Sequence, residues 1–380
     1  MRTVFLVAGA RPNFMKIAPL FKRLTATSEL DVRIVHTGQH YDRAMSDVFF
    51  EQLGLPEPHI TLSVGSVSHG AQTGRVLERF ESALNEHRPA AVVVVGDVNS
   101  TLACAIASAK IEYPDGTRPV LAHVEAGLRS RDRSMPEEVN RVLTDAVSDL
   151  LFTSEEGARD NLVREGIDSS RIHFVGNVMI DCLIEAWPAV EERREWAALG
   201  LQPKSYGLVT LHRPSNVDRP EVFSALVSGL EEIAARIPLL FPVHPRTRAR
   251  LRDAGLCEGS SIRLLEPLGY IEFVSLLSGA RIVLTDSGGL QEESTFLNVP
   301  CLTLRDNTER PVTITHGTNK LGGSRPENLA ATAFDTLSRP PAAGGGPPLW
   351  DGRAAERIAN ILRSVVIEHE ECASVPGMRS

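Results

Sequence analysis

Residue types able to do chemistry gather in a few segments of this sequence, each directly after a short apolar run. The first is Gly9–Lys16 (GARPNFMK), which sets Arg11 and Lys16 around the start of a helix that Pro12 can open. Two cations beside a helix N-terminus suit a phosphate or diphosphate, whereas a lone Arg–Lys pair would be ordinary surface. The segment lacks the G-x-G-x-x-G spacing that holds a dinucleotide, and no other strand–helix turn supplies it. The second is Gly96–Thr101 (GDVNST), where Asp97 follows the run AAVVVV and would project a carboxylate beyond a strand end. The third joins His123–Arg129 (HVEAGLR) to Pro136–Arg141 (PEEVNR) and brings Glu125, Glu137 and Glu138. Helix capping and dipole effects account for acidic residues singly. Three strand-end carboxylates in one half of a chain, Asp97, Glu125 and Glu137, point instead to proton transfer.

The second half contributes a different chemistry. Leu211–Asn216 (LHRPSN) pairs His212 with Arg213, a combination that binds phosphate or moves a proton. Thr285–Glu293 (TDSGGLQEE) contains D-S-G-G, which is similar to the nucleophile segment of trypsin-like proteases. That fold is all-β, and the strand–turn–helix setting here excludes it. In this setting Ser287, Gly288 and Gly289 offer backbone N–H groups to an anion. Glu293, about one turn on, can accept two hydrogen bonds from a ribose diol. Arg305–Pro311 (RDNTERP) adds guanidinium groups, Arg310 among them. Cations and N–H groups for a diphosphate, with carboxylates for the attached group, fit a sugar nucleotide.

Apolar, β-branched runs alternate with amphipathic stretches along the chain, which predicts an α/β fold with parallel sheets. Strands are expected at 3–7, 32–36, 91–95, 120–124, 150–153 and 172–175, and again at 208–211, 239–243, 263–265, 282–285 and 301–304. Helices are expected at 75–85, 155–164, 221–235, 289–296 and 352–366, with one long helical run over 179–199. The repeat divides the chain into two Rossmann-like domains, 1–177 and 178–380, with a ligand cleft between them. Their joint falls near Gly176–Asn177, and the Pro/Gly-rich stretch 339–349 reads as a connector. At 380 residues, 42% hydrophobic and 23% charged, the chain can build cores of full size. Its formal charge of −8 argues against non-specific binding to nucleic acid or anionic membrane. No apolar stretch is long enough to span a bilayer. The five cysteines are scattered, without a C-x-x-C pair, so neither a disulfide framework nor a zinc site is expected and a reducing cytoplasm fits.

Taken together, the segments at 9–16, 96–97, 123–129, 136–141, 212–213, 284–293 and 305–311 resemble, in order, those of the non-hydrolysing UDP-N-acetylglucosamine 2-epimerases. The resemblance implies the two-domain glycosyltransferase-B type of fold, with the final helix packing back on the N-terminal domain. It implies reversible inversion of C2, through loss and re-addition of UDP, to give UDP-N-acetylmannosamine for cell-surface polysaccharide. Position by position, Asp97, Glu125 and Glu137 would be the acid/base groups and His212 would assist near the nucleotide. Arg11, Lys16, Ser287, Gly288, Gly289, Glu293 and Arg310 would hold UDP, Phe273 would flank the uracil, and Arg141 and Arg213 would complete the substrate contacts. The resemblance implies no metal, no NAD and a homodimer. His212-Arg213-Pro214-Ser215 and a short loop between Glu125 and Glu137 also resemble epimerases of UDP-2,3-diacetamido-glucuronic acid, an alternative substrate. A UDP-sugar transferase of the same architecture is the other alternative. Gln39-His40 matches part of the region where some members bind an activating second substrate, whereas Tyr41-Asp42 and Pro245-Arg246 depart from it.

Overall fold

The computed structural model describes residues 1–38, 49–243, 245–256, 261–323, 328–338 and 346–373. The chain divides into two compact units, Met1–Glu185 with Pro348–Ser380, and Ala186–Pro347. The division falls inside the helix Val178–Arg193.

The first unit is built on strands β1 (Arg2–Ala8), β2 (Leu30–His36), β3 (Ile60–Thr61), β4 (Ala91–Val95), β5 (Val120–Val124), β6 (Leu150–Thr153) and β7 (Ile172–Phe174). All pair in parallel, in the order β3-β2-β1-β4-β5-β6-β7. A parallel sheet covered on both faces needs strands that are apolar on both sides, and β4 (AVVVV) is buried throughout. On one face Phe5, Val7, Val92 and Val94 pack with Val76, Phe80 and Leu84 of the helix His69–His87. Ala103, Cys104 and Ala107 of the helix Asn99–Lys110 join the same cluster. The helix Ala354–Ala373 belongs to this unit and packs on the helix Arg11–Thr25. Its first turn is capped by Asp181, whose carboxylate accepts from the N–H groups of Ala354 (3.2 Å) and Ala355 (2.7 Å).

The second unit repeats the plan with β8 (Gly207–Thr210), β9 (Leu239–Pro242), β10 (Ile262–Leu265), β11 (Ile282–Thr285), β12 (Cys301–Thr303) and β13 (Asn319–Leu321), in the order β10-β9-β8-β11-β12-β13. Alternate residues serve opposite faces. Val209, Phe241, Leu284 and Leu302 pack with Phe223, Leu226 and Leu230 of the helix Pro220–Ala234. Leu208, Leu240, Val283 and Cys301 pack with Leu276 and Leu277 of the helix Tyr270–Gly279. In both sheets the strand order reverses once, between β1 and β4 and between β8 and β11, and ligands of such sheets gather beyond the strand ends at that point.

The α/β class with two Rossmann-like units is what the sequence predicts. Two strands, β3 and β13, escape prediction because each is an edge strand of two or three residues. The helical run over 179–199 is broken: Arg194 takes φ 42°, ending one helix and starting the short Glu195–Ala198. The last helix starts at Ala354 and extends to Ala373, past the expected end at 366.

Candidate active site

At the switch point of the first sheet, the loop after β1 is fastened by Asn13. Its side-chain oxygen accepts from the N–H groups of Gly9 and Ala10, both 3.0 Å, and its amide donates to Val95 O at the end of β4. One turn along, Lys16 forms a buried ion pair with Glu125. Gly96 makes room for it: at φ +66° a Cβ here would stand 2.8 Å from Lys16 Nζ. Glu125 itself has φ 73°, an unusual conformation for a non-glycine residue, and its N–H donates to Phe152 O at 3.0 Å. Strained backbone of this kind concentrates at functional sites.

Asp97, next after Gly96, is gripped by Arg141, whose Nε and Nη2 lie 3.0 and 2.7 Å from the same carboxylate oxygen. Arg141 Nη1 reaches Glu138 at 2.7 Å. Glu138 in turn accepts from Ser130 N and Oγ, both 2.9 Å, and from Arg131 N at 2.8 Å, so it staples the preceding loop. Its neighbour Glu137 is half-buried and makes no such bond among the described residues. Beneath these groups lies a buried polar chain. His123 contacts Gly96 O through Nε2 (2.9 Å) and Asp145 through Nδ1 (2.6 Å), while Asp145 also binds Gly127 N (3.0 Å) and Arg129 (2.7 Å). Burial pushes the Asp145 carboxyl up, but the charges and hydrogen bonds of His123 and Arg129 outweigh it and hold it below the usual range. The pair therefore ties the residue before Asp97, the turn after Glu125 and the helix Pro136–Val147 to one another.

In the second unit, β11 runs into Asp286, Ser287 and the helix Gly288–Phe296. Ser287 N–H donates to Thr285 Oγ1 at 2.9 Å, which leaves the N–H groups of Gly288 and Gly289 as those that open the helix. Gly288 is pressed by Arg310 and Glu309; a Cβ there would meet Glu309 Oε1 at 2.8 Å. Arg310 is buried against Glu309 (2.6 Å) and Glu292 (2.9 Å), and Arg305 against Glu309 (2.7 Å). Arg213 donates through Nε to Asp286 O at 3.0 Å. Glu293 is buried, and burial pushes its carboxyl up to about 8; the Tyr270 hydroxyl pulls it down and the charge of Glu292 adds to the rise. Phe273 is half-buried and packs against the core cluster of Leu276 and Leu277. His212 is exposed, with Nδ1 2.8 Å from Asp286.

The first unit thus brings together Lys16, Asp97, Glu125 and Arg141, with Glu137 one turn before Arg141 on the same helix, and the second His212, Arg213, Ser287, Gly288, Gly289, Glu293 and Arg310. The side chains of Arg11, Pro245 and Arg246, and all of Gln39–Asp42, lie outside the described residues. Sequence reasoning gave no role to Asp286, His123 or Asp145, and missed the stapling by Glu138. One signal was available: Glu137, Arg141 and Asp145 recur every four residues on one helix face. Among the described residues no helix is long and apolar enough to cross a membrane, and no cluster of His, Cys, Asp and Glu could hold a metal ion.

Comparison with known proteins decides the family. The family model for UDP-N-acetylglucosamine 2-epimerase matches residues 22–363. The UDP-N-acetylglucosamine 2-epimerase of Methanocaldococcus jannaschii is 41% identical over 366 residues, covering 94% of this chain and 98% of the relative. The chain belongs to the UDP-N-acetylglucosamine 2-epimerase family. The UDP-2,3-diacetamido-2,3-dideoxy-D-glucuronate 2-epimerase of Pseudomonas aeruginosa is similar too, at 39% identity over 363 residues, covering 94% of this chain and 99% of that one. Among solved structures, the M. jannaschii enzyme in complex with UDP-GlcNAc and UDP superposes with a TM-score of 0.86, covering 95% of this chain and 99% of that chain at 41% identity. The Neisseria meningitidis enzyme bound to UDP-GlcNAc gives 0.84 at 28% identity, covering 95% and 100%.

Proposed function

We propose that the chain inverts C2 of UDP-N-acetylglucosamine to give UDP-N-acetylmannosamine, an activated sugar for cell-surface polysaccharide. The observation that carries this reading is the trio Asp97, Glu125 and Glu137 in the first unit of a family member. The C2 proton has no adjacent carbonyl to acidify it, so direct abstraction is hard and elimination is the accessible route. A carboxylate takes the C2 proton, the C–H electron pair becomes the C1=C2 double bond, and the C1–O pair leaves on UDP. UDP then adds back to C1 of the 2-acetamidoglucal while a carboxyl group delivers a proton to the other face of C2. Such a cycle requires a base, an acid and stabilisation of the departing diphosphate. Arg11, Lys16, Ser287, Gly288, Gly289, Glu293 and Arg310 hold UDP in this reading, with Phe273 at the uracil. Arg141 and Arg213 act beside them, and His212 assists at the diphosphate.

A second substrate, UDP-2,3-diacetamido-glucuronic acid, is favoured by the His212-Arg213-Pro214-Ser215 segment and by the 39% identity to the P. aeruginosa enzyme. The transferase alternative is disfavoured by the three carboxylates, since transfer uses at most one base. Parallel kcat/KM measurements on both UDP-sugars decide between substrates. Faster epimerisation of UDP-GlcNAc supports the proposal, a preference of about 100-fold or more for the diacetamido sugar assigns the alternative, and no epimer from either overturns both. The homodimer reading is supported by an apolar stripe, Val139, Val142 and Leu143, exposed on the helix Pro136–Val147. A cytoplasmic location is supported by the buried free thiols of Cys104, Cys182 and Cys301.

A further inference from the structure

Asp286 follows β11 and is fully buried, while the side chain of His212, which follows the neighbouring strand β8, is 63% exposed. The two strands are locked in register at Thr210 and Thr285, whose hydroxyls lie 2.6 Å apart. The two Asp286 oxygens are used differently. Oδ2 accepts from Arg213 N (2.9 Å), Asn216 Nδ2 (3.1 Å) and His212 N (3.1 Å). Oδ1 shares the His212 N–H (3.1 Å) and meets the imidazole Nδ1 at 2.8 Å. An ionised carboxylate only accepts, so the Nδ1 facing it carries a hydrogen and Nε2 is left as the atom free for chemistry.

We propose that Asp286 is a positioning residue that fixes His212 as an Nδ1–H donor and thereby presents Nε2 to the diphosphate of the UDP-sugar. Burial pushes the Asp286 carboxyl up, but the hydrogen bond and charge of His212, with the donors at Arg213 and Asn216, keep it below the usual carboxylate range. The inference rests on the epimerase reading, and within it the step is specific. As the C1–O bond breaks and its electron pair passes to the β-phosphate oxygen, the imidazolium form of His212, with Nδ1–H held on Asp286, donates its Nε2–H hydrogen bond to that oxygen; on re-addition the bond is released. Asp286 touches no reacting atom. It supplies the tautomer and the counter-charge, as the buried acid does in imidazole–carboxylate pairs elsewhere.

Replacement Asp286→Asn separates this role from simple loop stapling. Three donors converge on Oδ2, so the amide oxygen must take that place and the amide nitrogen must occupy Oδ1, donating to Nδ1. The neutral imidazole then carries its hydrogen on Nε2. The test is 15N-histidine NMR of the wild type and Asp286→Asn, free and saturated with UDP, with the His212 signal assigned by loss in His212→Gln. The wild type saturated with UDP is expected to carry hydrogen on Nδ1 as well as Nε2, with its Nε2 resonance moving on UDP binding, and the variant on Nε2 alone. The kcat of the variant is expected to fall by about 10- to 100-fold with KM changed by less than about threefold, because a neutral Nε2–H is a weaker donor to the departing oxygen than a charged one. A wild-type His212 with no hydrogen on Nδ1, a resonance indifferent to UDP, or a variant with near-normal kcat overturns the proposal. The wild-type tautomer is readable even where the variant does not fold. Absence of epimerase activity in a wild type that shows the Nδ1–H form and the UDP response would sink the functional reading while upholding the placement of His212.

Discussion

Glu293, proposed to hold the ribose, places a carboxyl where burial opposes its charge. Its acid is held up at about 8 by burial, so the folded chain keeps a proton there that the unfolded chain has lost. A group raised in this way contributes stability below its ordinary value of 4.5, and loses it progressively as pH rises toward 8. Glu293→Gln removes this pH dependence. Thermal melts are expected to show the variant more stable than wild type at pH 8, with the gap closing toward pH 4.5. Its UDP affinity, read by calorimetric titration above pH 8, where the wild-type carboxyl is ionised, is expected to fall by about tenfold, since an amide accepts fewer ribose hydrogen bonds. Equal melting temperatures across that range, or undiminished affinity, would contradict the assignment. The role proposed for this residue was legible from its place one turn into a helix after Ser287-Gly288-Gly289. Its protonation was not, because that depends on what the fold packs around it.

At the scale of elements, the acidic residues of the helix Pro136–Val147 differ in how they are engaged. Glu138 and Asp145 are consumed by buried partners, whereas Glu137 is not so engaged among the described residues. Asp145→Asn removes the buried carboxylate shared by His123, Gly127 N and Arg129, leaving Arg129 with Glu165 alone, and is expected to cost about 3–5 kcal/mol in urea denaturation. Glu137→Gln is expected to change stability by less than about 0.5 kcal/mol yet to abolish exchange of the substrate C2 hydrogen. The reverse pattern would interchange their roles. The strands that position these residues were legible because buried parallel strands write themselves as continuous apolar runs: 91–95, 120–124, 150–153 and 282–285 match residue for residue. The partners were less so. His123 meets Asp145 across 22 residues, and His212 meets Asp286 across 74, and no local pattern encodes contacts of that span.

At the scale of the whole molecule, the net charge of −8 describes solubility and says little about chemistry. In the proposed function its partition is what counts: carboxylates beyond the first sheet, and helix-opening N–H groups with guanidinium groups beyond the second. The same strand order in each unit places both sets after strands at switch points. The exposed Val139, Val142 and Leu143 lie on the helix that also carries Glu137, which links assembly to the site in the homodimer reading. Leu143→Glu is accordingly expected to convert a sedimenting dimer to single chains. A wild type that sediments as a single chain would refute the assembly reading.

In the proposed cycle one carboxyl group removes and another returns the hydrogen at C2 while UDP departs and comes back. Incubation with UDP-GlcNAc in D2O, followed by proton NMR, reads that exchange at the reacting carbon. UDP-ManNAc with deuterium at C2 is expected, and deuterium entering the recovered UDP-GlcNAc as well. Epimer formed with the original hydrogen retained at C2, or free N-acetylmannosamine accumulating in place of UDP-ManNAc, would contradict it.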